Sequence, residues 1–260
     1  MGNKSSSRYQ AISSSPANRS PSRTTAEELD FLNPSTSTPD RDFKFEANGS
    51  GSVDISDGNG KLGAHQYSCT SRNSKGEPDG YHRLLCTELS KEGSPEEMRN
   101  GISQLKVHKL HISVVDFQSA WERIVPILME HDLFEFKVRI ANPTNQQKKH
   151  QVGKSIVLYY FNARDDFPWK TVLGKIETAL AKKPKILPGV NPHYRFVGKD
   201  TDEKDESASE PKLLGSQYIY VSRDDIRDLN HLNSLTPIDR LGPVFSQINL
   251  DTETKPDSAP

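Results

Sequence analysis

Apolar and polar positions alternate cleanly in only a few stretches of the chain, and those stretches predict its folded elements. From Lys106 to Val115, Leu110, Ile112 and Val114 fall on one side and Lys109, His111 and Ser113 on the other, the two-residue period of a half-buried strand. Asp116 can cap a helix that follows, in which Phe117, Trp121, Ile124, Val125 and Leu128 recur at helical spacing. Pro126 is expected to kink this helix or end its regular hydrogen bonding. Phe134 to Ile140 alternates again, with Phe134, Phe136, Val138 and Ile140 inward and Glu135, Lys137 and Arg139 outward. Ser155 to Phe161 reads as a third strand, and Pro168 opens a second helix carrying Val172, Leu173, Ile176 and Leu180. After Pro184 and a Pro-Gly-Val-Asn-Pro turn, Gln217 to Ser222 makes a further strand, and Asp224 onward begins a helix. The order β-α-β-β-α-β predicts an α+β fold, an antiparallel or mixed sheet with helices packed on one face.

Composition places the rest of the chain outside this unit. Only 33% of the 260 residues are hydrophobic and 27% are charged, so the apolar deficit has to sit in particular segments. Residues 1–79 read as a disordered leader of Ser/Thr/Pro and Gly/Asn/Ser tracts, too poor in apolar periodicity to offset the entropy of ordering. The folded domain is expected over 80–247, interrupted by a charged, mobile loop at 198–213, with a frayed tail at 248–260. A net charge of -1 gives no global cationic field and argues against nucleic acid as a partner. Two cysteines, Cys69 and Cys86, exclude a disulfide scaffold or a Cys-built zinc site and suit a reducing compartment. No apolar run reaches the length of a membrane span, and no apolar core of a secretory signal follows the start. His108 and His111 fall on opposite strand faces, and there is no HExxH, Walker loop or GxGxxG. No metal and no cofactor is therefore expected.

The candidate chemistry lies on the polar strand faces. Lys109, His111, Lys137, Arg139, Tyr159 and Arg223 come from strands or strand ends, which are rigid supports for a site. One reading is the wet side of a one-sided antiparallel sheet, where Lys and Arg are common. The other is an anion site, most simply for phosphate, because cations and a histidine gather there with few carboxylates between them. Trp121 and Trp169 read as core, while His193 and Arg195 are candidates to border a pocket.

Three motifs bring a family to these residues. Lys109-Leu110-His111-Ile112-Ser113, then Phe136-Lys137-Val138, then Gly153-Lys154-Ser155-Ile156-Val157-Leu158-Tyr159 resemble, in order and spacing, the phosphothreonine lyases. These are secreted bacterial effectors, with relatives among the lyase domains of lanthipeptide synthetases. The likeness runs from near Lys106 to Arg227. It implies β-elimination of phosphate from phosphothreonine in a host signalling protein, by the family expectation a MAP kinase. It also implies roles: Lys137 as base, His111 as acid, Lys109 and Tyr159 assisting in catalysis, and Lys149, Arg223, Arg227 and Arg139 around the phosphate. Lys149 stands where the family has an Arg and loses its bidentate fork. The family's second late Arg would fall near Asn230, so Arg227 is the substitute offered.

The amino terminus, Met1-Gly2-Asn3-Lys4-Ser5-Ser6, fits the N-myristoylation pattern with Gly2 as acceptor. Lys4, Arg8, Arg19 and Arg23 precede the first acidic residue, Glu27, a basic surplus suited to an anionic inner leaflet. The expected location is the host cytoplasm or the inner face of a host membrane, after secretion. The competing reading is a non-catalytic phosphopeptide- or anion-binding effector tethered to that membrane.

Overall fold

The computed structural model describes residues 44–47, 52–57, 60–61, 67–72, 78–86, 108–131, 135–139, 144, 151–160, 167–194, 208–223 and 229–251. Nine strands among them form one sheet: β1 (Lys44–Ala47), β2 (Ser52–Asp57), β3 (Gly60–Lys61), β4 (Tyr67–Arg72), β5 (Pro78–Cys86), β6 (His108–Ile112), β7 (Glu135–Arg139), β8 (Ile156–Tyr160) and β9 (Ile219–Arg223). Their spatial order is β1-β2-β4-β5-β7-β8-β6-β9, with β3 against β2, and every pairing is antiparallel. The helices are α1 (Phe117–Glu130), α2 (Trp169–Ala181), α3 (Leu229–Ser234) and α4 (Pro237–Phe245). The α+β class and the β-α-β-β-α-β order from β6 to β9 are as the alternation predicts.

The apolar parity of the strands explains why the helices lie on one face. Leu110, Ile112, Phe136, Val138, Ile156, Leu158, Ile219 and Val221 join one buried cluster with Trp121, Ile124 and Leu128 of α1 and Val172, Leu173 and Ile176 of α2. Cutting any of these leucines or isoleucines back to alanine costs about 2–5 kcal/mol in such a setting, through lost transfer energy and the cavity left behind. Asp116 caps α1 as expected, accepting from the Ser119 amide at 3.1 Å and the Ser119 hydroxyl at 2.6 Å. Pro126 does not end α1, which continues to Glu130. Arg123 ties α1 to the far end of α2 by donating to the carbonyls of Ala179, Lys182 and Pro184. A guanidinium there satisfies helix-end acceptors that have no partner within α2.

Two stretches differ from the sequence reading. β1 to β4 fall inside the stretch assigned to a disordered leader. Their alternation is short, Phe45 and Ala47 in β1 and Val53 and Ile55 in β2, and it is set among Gly, Ser, Asn and Asp residues that read as loop; the backbone ladder then extends an existing sheet. Residues 208–213, assigned to the charged loop, are held in place: Val221 N–H donates to Pro211 O, Leu213 N–H to Ile219 O, and Lys212 bridges to Tyr220. Ala208, Glu210 and Leu213 are buried, so the last six residues of the span assigned to a mobile loop belong to the folded domain. A small second cluster of Tyr194, Ala208 and Leu232 anchors the same segment on α3.

Candidate active site

The face of the sheet away from the helices gathers the predicted polar residues by register. Val157 of β8 lies opposite His111 of β6 on one side and Lys137 of β7 on the other. Directly paired residues point to the same face, so His111 and Lys137 share it, separated by one strand. Their Cα atoms are two strand spacings apart, about 10 Å. An imidazole and a lysine chain reaching inward from those positions can meet on either side of one small group seated over Val157. The row continues to Tyr220 and Lys212 beyond His111, and to Arg83 beyond Lys137.

The neighbouring row holds Tyr159 opposite Lys109, which in turn faces Ser222. The Tyr159 ring lies between two ammonium groups, 5.7 Å from Lys109 Nζ and 5.9 Å from Lys137 Nζ. Tyr81 of β5 stands on the other side of Lys137, also at 5.9 Å, and its hydroxyl donates to Lys154 O. The two rings limit where the Lys137 ammonium can go and present it with their negative faces. Arg139 lies in a third row with Tyr81; its guanidinium sits 5.2 Å from the Phe117 ring at the head of α1.

Glu210 is the main addition to what the motifs indicate. Its carboxylate meets His111 Nδ1 at 2.5 Å and lies 3.8 Å from Lys154 Nζ. The charged segment carrying it hides it from sequence reasoning; the only cue is its place just before Pro211, where the run of charge stops. Burial is the largest influence on the carboxyl and opposes ionisation. His111, Lys154 and a Ser222 hydrogen bond together outweigh it and hold the group below the usual carboxylate range. Burial pushes the His111 imidazole below its ordinary 6.5, against the opposite pull of Glu210. With Nδ1 engaged by Glu210, Nε2 is the nitrogen left to face a ligand. Arg83, another residue outside the motifs, pairs with buried Glu135 at 2.5 Å beside Lys137.

Backbone geometry secures the loop leading into β8. Gly153 has φ +72°, and a Cβ there would lie 2.5 Å from Pro192 N, so both its conformation and its neighbours require glycine. Ser155 Oγ donates to Val114 O, and Gln151 donates to Gly80 O. The backbone at 190–192 therefore closes against the end of the site.

The structure brings His111, Lys137, Lys109 and Tyr159 together and places Arg139 at their border. It does not bring Arg223 to them. Tyr220 and Ser222 share the face of His111 and Lys109, so Arg223 has the opposite parity, and its guanidinium donates to Asp239 O on α4. Lys149, Arg227, Gly2 and Arg195 lie outside the described residues. His193 bridges to Ser209 and is part of the segment leading to Glu210. Around His111 and Lys137, the cations Arg83, Lys109, Lys137, Arg139, Lys154 and Lys212 outnumber the carboxylates Glu135 and Glu210. That surplus suits an anion. No group of three or more His, Cys, Asp or Glu side chains among the described residues could hold a metal ion.

No family model and no curated protein matches the chain. Among solved structures it is similar to the type III effector and phosphothreonine lyase OspF from Shigella flexneri, at 15% identity and a TM-score of 0.38, over 68% of this chain and 78% of that one.

Proposed function

We propose that this protein is a lyase that removes phosphate from phosphothreonine by β-elimination. The observation that carries the reading is the shared row of Lys137, Val157 and His111, which puts an amine-bearing and an imidazole-bearing residue on one face of the sheet with a single strand between them. In the reaction Lys137 takes the Cα proton of the phosphothreonine, the electrons of that bond form the Cα–Cβ double bond, and the Cβ–O bond breaks. His111 gives a proton through Nε2 to the bridging oxygen as phosphate departs, leaving dehydrobutyrine. Each group supplies what its step lacks: a positioned base for a weakly acidic proton, and an acid for a poor leaving group. Lys109 and Lys154 offset charge on the phosphate and on the carbonyl as the enolate-like state develops.

Glu210 explains how a buried imidazole serves as an acid. In the free protein, burial favours its neutral form. A phosphate dianion arriving beside Nε2 stabilises the imidazolium, and Glu210 at Nδ1 stabilises it from the other end. The substrate thus helps to recruit the proton that will assist its own leaving group.

The partner on this reading is a phosphorylated host protein, with a MAP kinase as the expectation from the sequence resemblance. Gly2 lipidation would hold the enzyme at a host membrane; among the described residues no helix is long and apolar enough to cross one. A second reading, phosphopeptide binding without chemistry, draws on the cation surplus and on Arg223 facing away from it. Incubation with a phosphothreonine peptide separates the two. Mass loss of one phosphoric acid, leaving an alkene and no hydroxyl, is the expected result; an intact, retained peptide would favour binding alone.

A further inference from the structure

Tyr81 stands on β5, yet its hydroxyl donates to the carbonyl of Lys154, in the loop that enters β8. β7 lies between those two strands, so the phenol crosses β7 to reach its acceptor. Register puts it on the catalytic face. Tyr81 pairs with Arg139, which lies two residues beyond Lys137 on the same side of β7, and the Arg139 amide donates to Ser155 O next to Lys154. Gln151 donates to Gly80 O, so the backbone beside Tyr81 and the side chain itself are both tied to residues 151–154. The residue is buried, and its ring lies 5.9 Å from Lys137 Nζ. Tyr159 of β8 approaches the same amine at 5.9 Å from the neighbouring row.

The support of the Tyr81 ring is shared with the acid. Lys154, whose carbonyl takes the hydroxyl, places its Nζ 3.8 Å from Glu210 Oε1, and Glu210 Oε2 meets His111 Nδ1 at 2.5 Å. One residue thus braces Lys137 through its backbone and His111 through its side chain. The need for a brace is greater on the lysine side. A lysine ends a long, flexible stem and sweeps a wide arc, whereas an imidazole is held close to its strand. Two rings narrow that arc by bulk and by attraction for the ammonium, and an anchored hydroxyl keeps one of them from turning away. Restricting an amine to the geometry of proton transfer is a gain in rate, not in substrate affinity. Tyr81 precedes Lys106, where the motif likeness begins, so no motif pointed to it.

We infer that Tyr81, anchored on Lys154, is a positioning residue for Lys137, its ring holding the amine in the row that Lys137 shares with Val157 and His111. The inference rests on the lyase reading and adds a strand, β5, to the machinery of that reaction.

The test is steady-state elimination of a phosphothreonine peptide by the full chain. Tyr81→Leu should lower kcat by about ten- to a hundredfold, the scale of a misplaced reacting group, with KM little changed. Tyr81→Phe keeps the ring and loses only its anchor, so kcat should fall by about two- to tenfold, well short of the leucine variant. A residue that acts through Lys137 has nothing left to position once the amine is gone. In the Lys137→Ala background, Tyr81→Leu should therefore leave the residual rate nearly as it was, whereas a merely structural role would lower it by the same factor again. If the wild type turns over and both Tyr81 variants match it in kcat, or if their loss lies in KM alone, the positioning role is overturned and the lyase stands. If Tyr81→Leu does not fold, Tyr81→Phe decides alone, and a kcat equal to that of the wild type overturns the anchor. Wild type that eliminates nothing brings down the lyase reading and the inference together.

Discussion

If Lys137 is the base, as proposed, Lys137→Ala is expected to lower elimination by about a hundred- to ten-thousand-fold, the usual worth of a general base. Phosphopeptide affinity should change little by comparison, because Lys109 and Lys154 remain; mass spectrometry for turnover and fluorescence anisotropy for binding read the two separately. At His111 the expected event is proton uptake. If phosphate converts a neutral imidazole to imidazolium, calorimetric binding enthalpies at pH 7 will depend on the ionisation enthalpy of the buffer, and that dependence will shrink in His111→Asn. Glu210→Gln removes a negative charge from Nδ1, so the imidazole pKa should fall further below 6.5, a shift visible by NMR titration. Stability carries the same sign. Above pH 6.5 both the folded and unfolded imidazole are neutral; below it the unfolded chain binds a proton that buried His111 resists, so stability falls as pH drops through that range. Glu210, whose folded pKa is depressed, adds a loss at lower pH, once its own carboxylate is protonated. Denaturant unfolding of wild type and His111→Gln from pH 7.5 to 5 should show the flatter curve in the variant. Much of this site was legible, because alternation alone puts Lys109, His111 and Lys137 on polar faces. Arg223 shows where likeness and alternation part. A motif match draws it to the phosphate, but its parity relative to Tyr220 sends it toward α4. Parity is countable in a sequence; register, which decides what the count is measured against, is not.

Elements were legible in proportion to the strength of their apolar pattern. β6, β7, β8 and β9 each end within three residues of the expected bounds, and both long helices begin at their predicted caps. β1 to β4 escaped because their alternation, such as Phe45 and Ala47 or Val53 and Ile55, is at most two residues long in each strand and sits among Gly, Ser and Asp, and the 208–213 segment because a run of charges conceals the single buried carboxylate at its end. The elements that matter most to the site are the turns that hold its strands in register. Gly153→Ala would combine a left-handed backbone with a Cβ 2.5 Å from Pro192 N, and is expected to cost at least about 1–3 kcal/mol. Because Gly153 leads directly into β8, that variant should also lower turnover, by shifting the strand that separates His111 from Lys137. Asp116→Ala makes the useful contrast. It removes the cap of α1 and should cost about 0.5–2 kcal/mol, yet it lies on the helix side of the first strand connection and touches neither reacting group. Chemical denaturation together with peptide elimination distinguishes the two: both variants lose stability, and Gly153→Ala loses proportionately more activity.

Taken as a whole, the molecule divides its sheet into a reactive half and a supporting half. All the site rows are drawn from β5 to β9 and the 208–213 segment, and each catalytic candidate lies on β6, β7 or β8, in the interior of the strand order. An interior strand has both ladders filled, which fixes side-chain positions more closely than an edge does. The contacts described for the site come from β5 onward, and β4 pairs along β5 from Tyr67 to Arg72 and covers what would otherwise be an open edge. A chain beginning at Pro78 should therefore keep elimination of phosphothreonine peptides close to that of the full chain, since Tyr81 and Arg83 remain paired to β7. The same chain would expose the outer ladder of a nine-residue strand, an edge open to pairing with another copy. Light scattering is expected to show concentration-dependent association for the shortened protein and much less for the full one, while turnover per folded molecule is retained at low concentration. Turnover lost even in dilute, monomeric samples would mean that β1 to β4 shape the catalytic face itself, and that the division of the sheet into two halves is wrong.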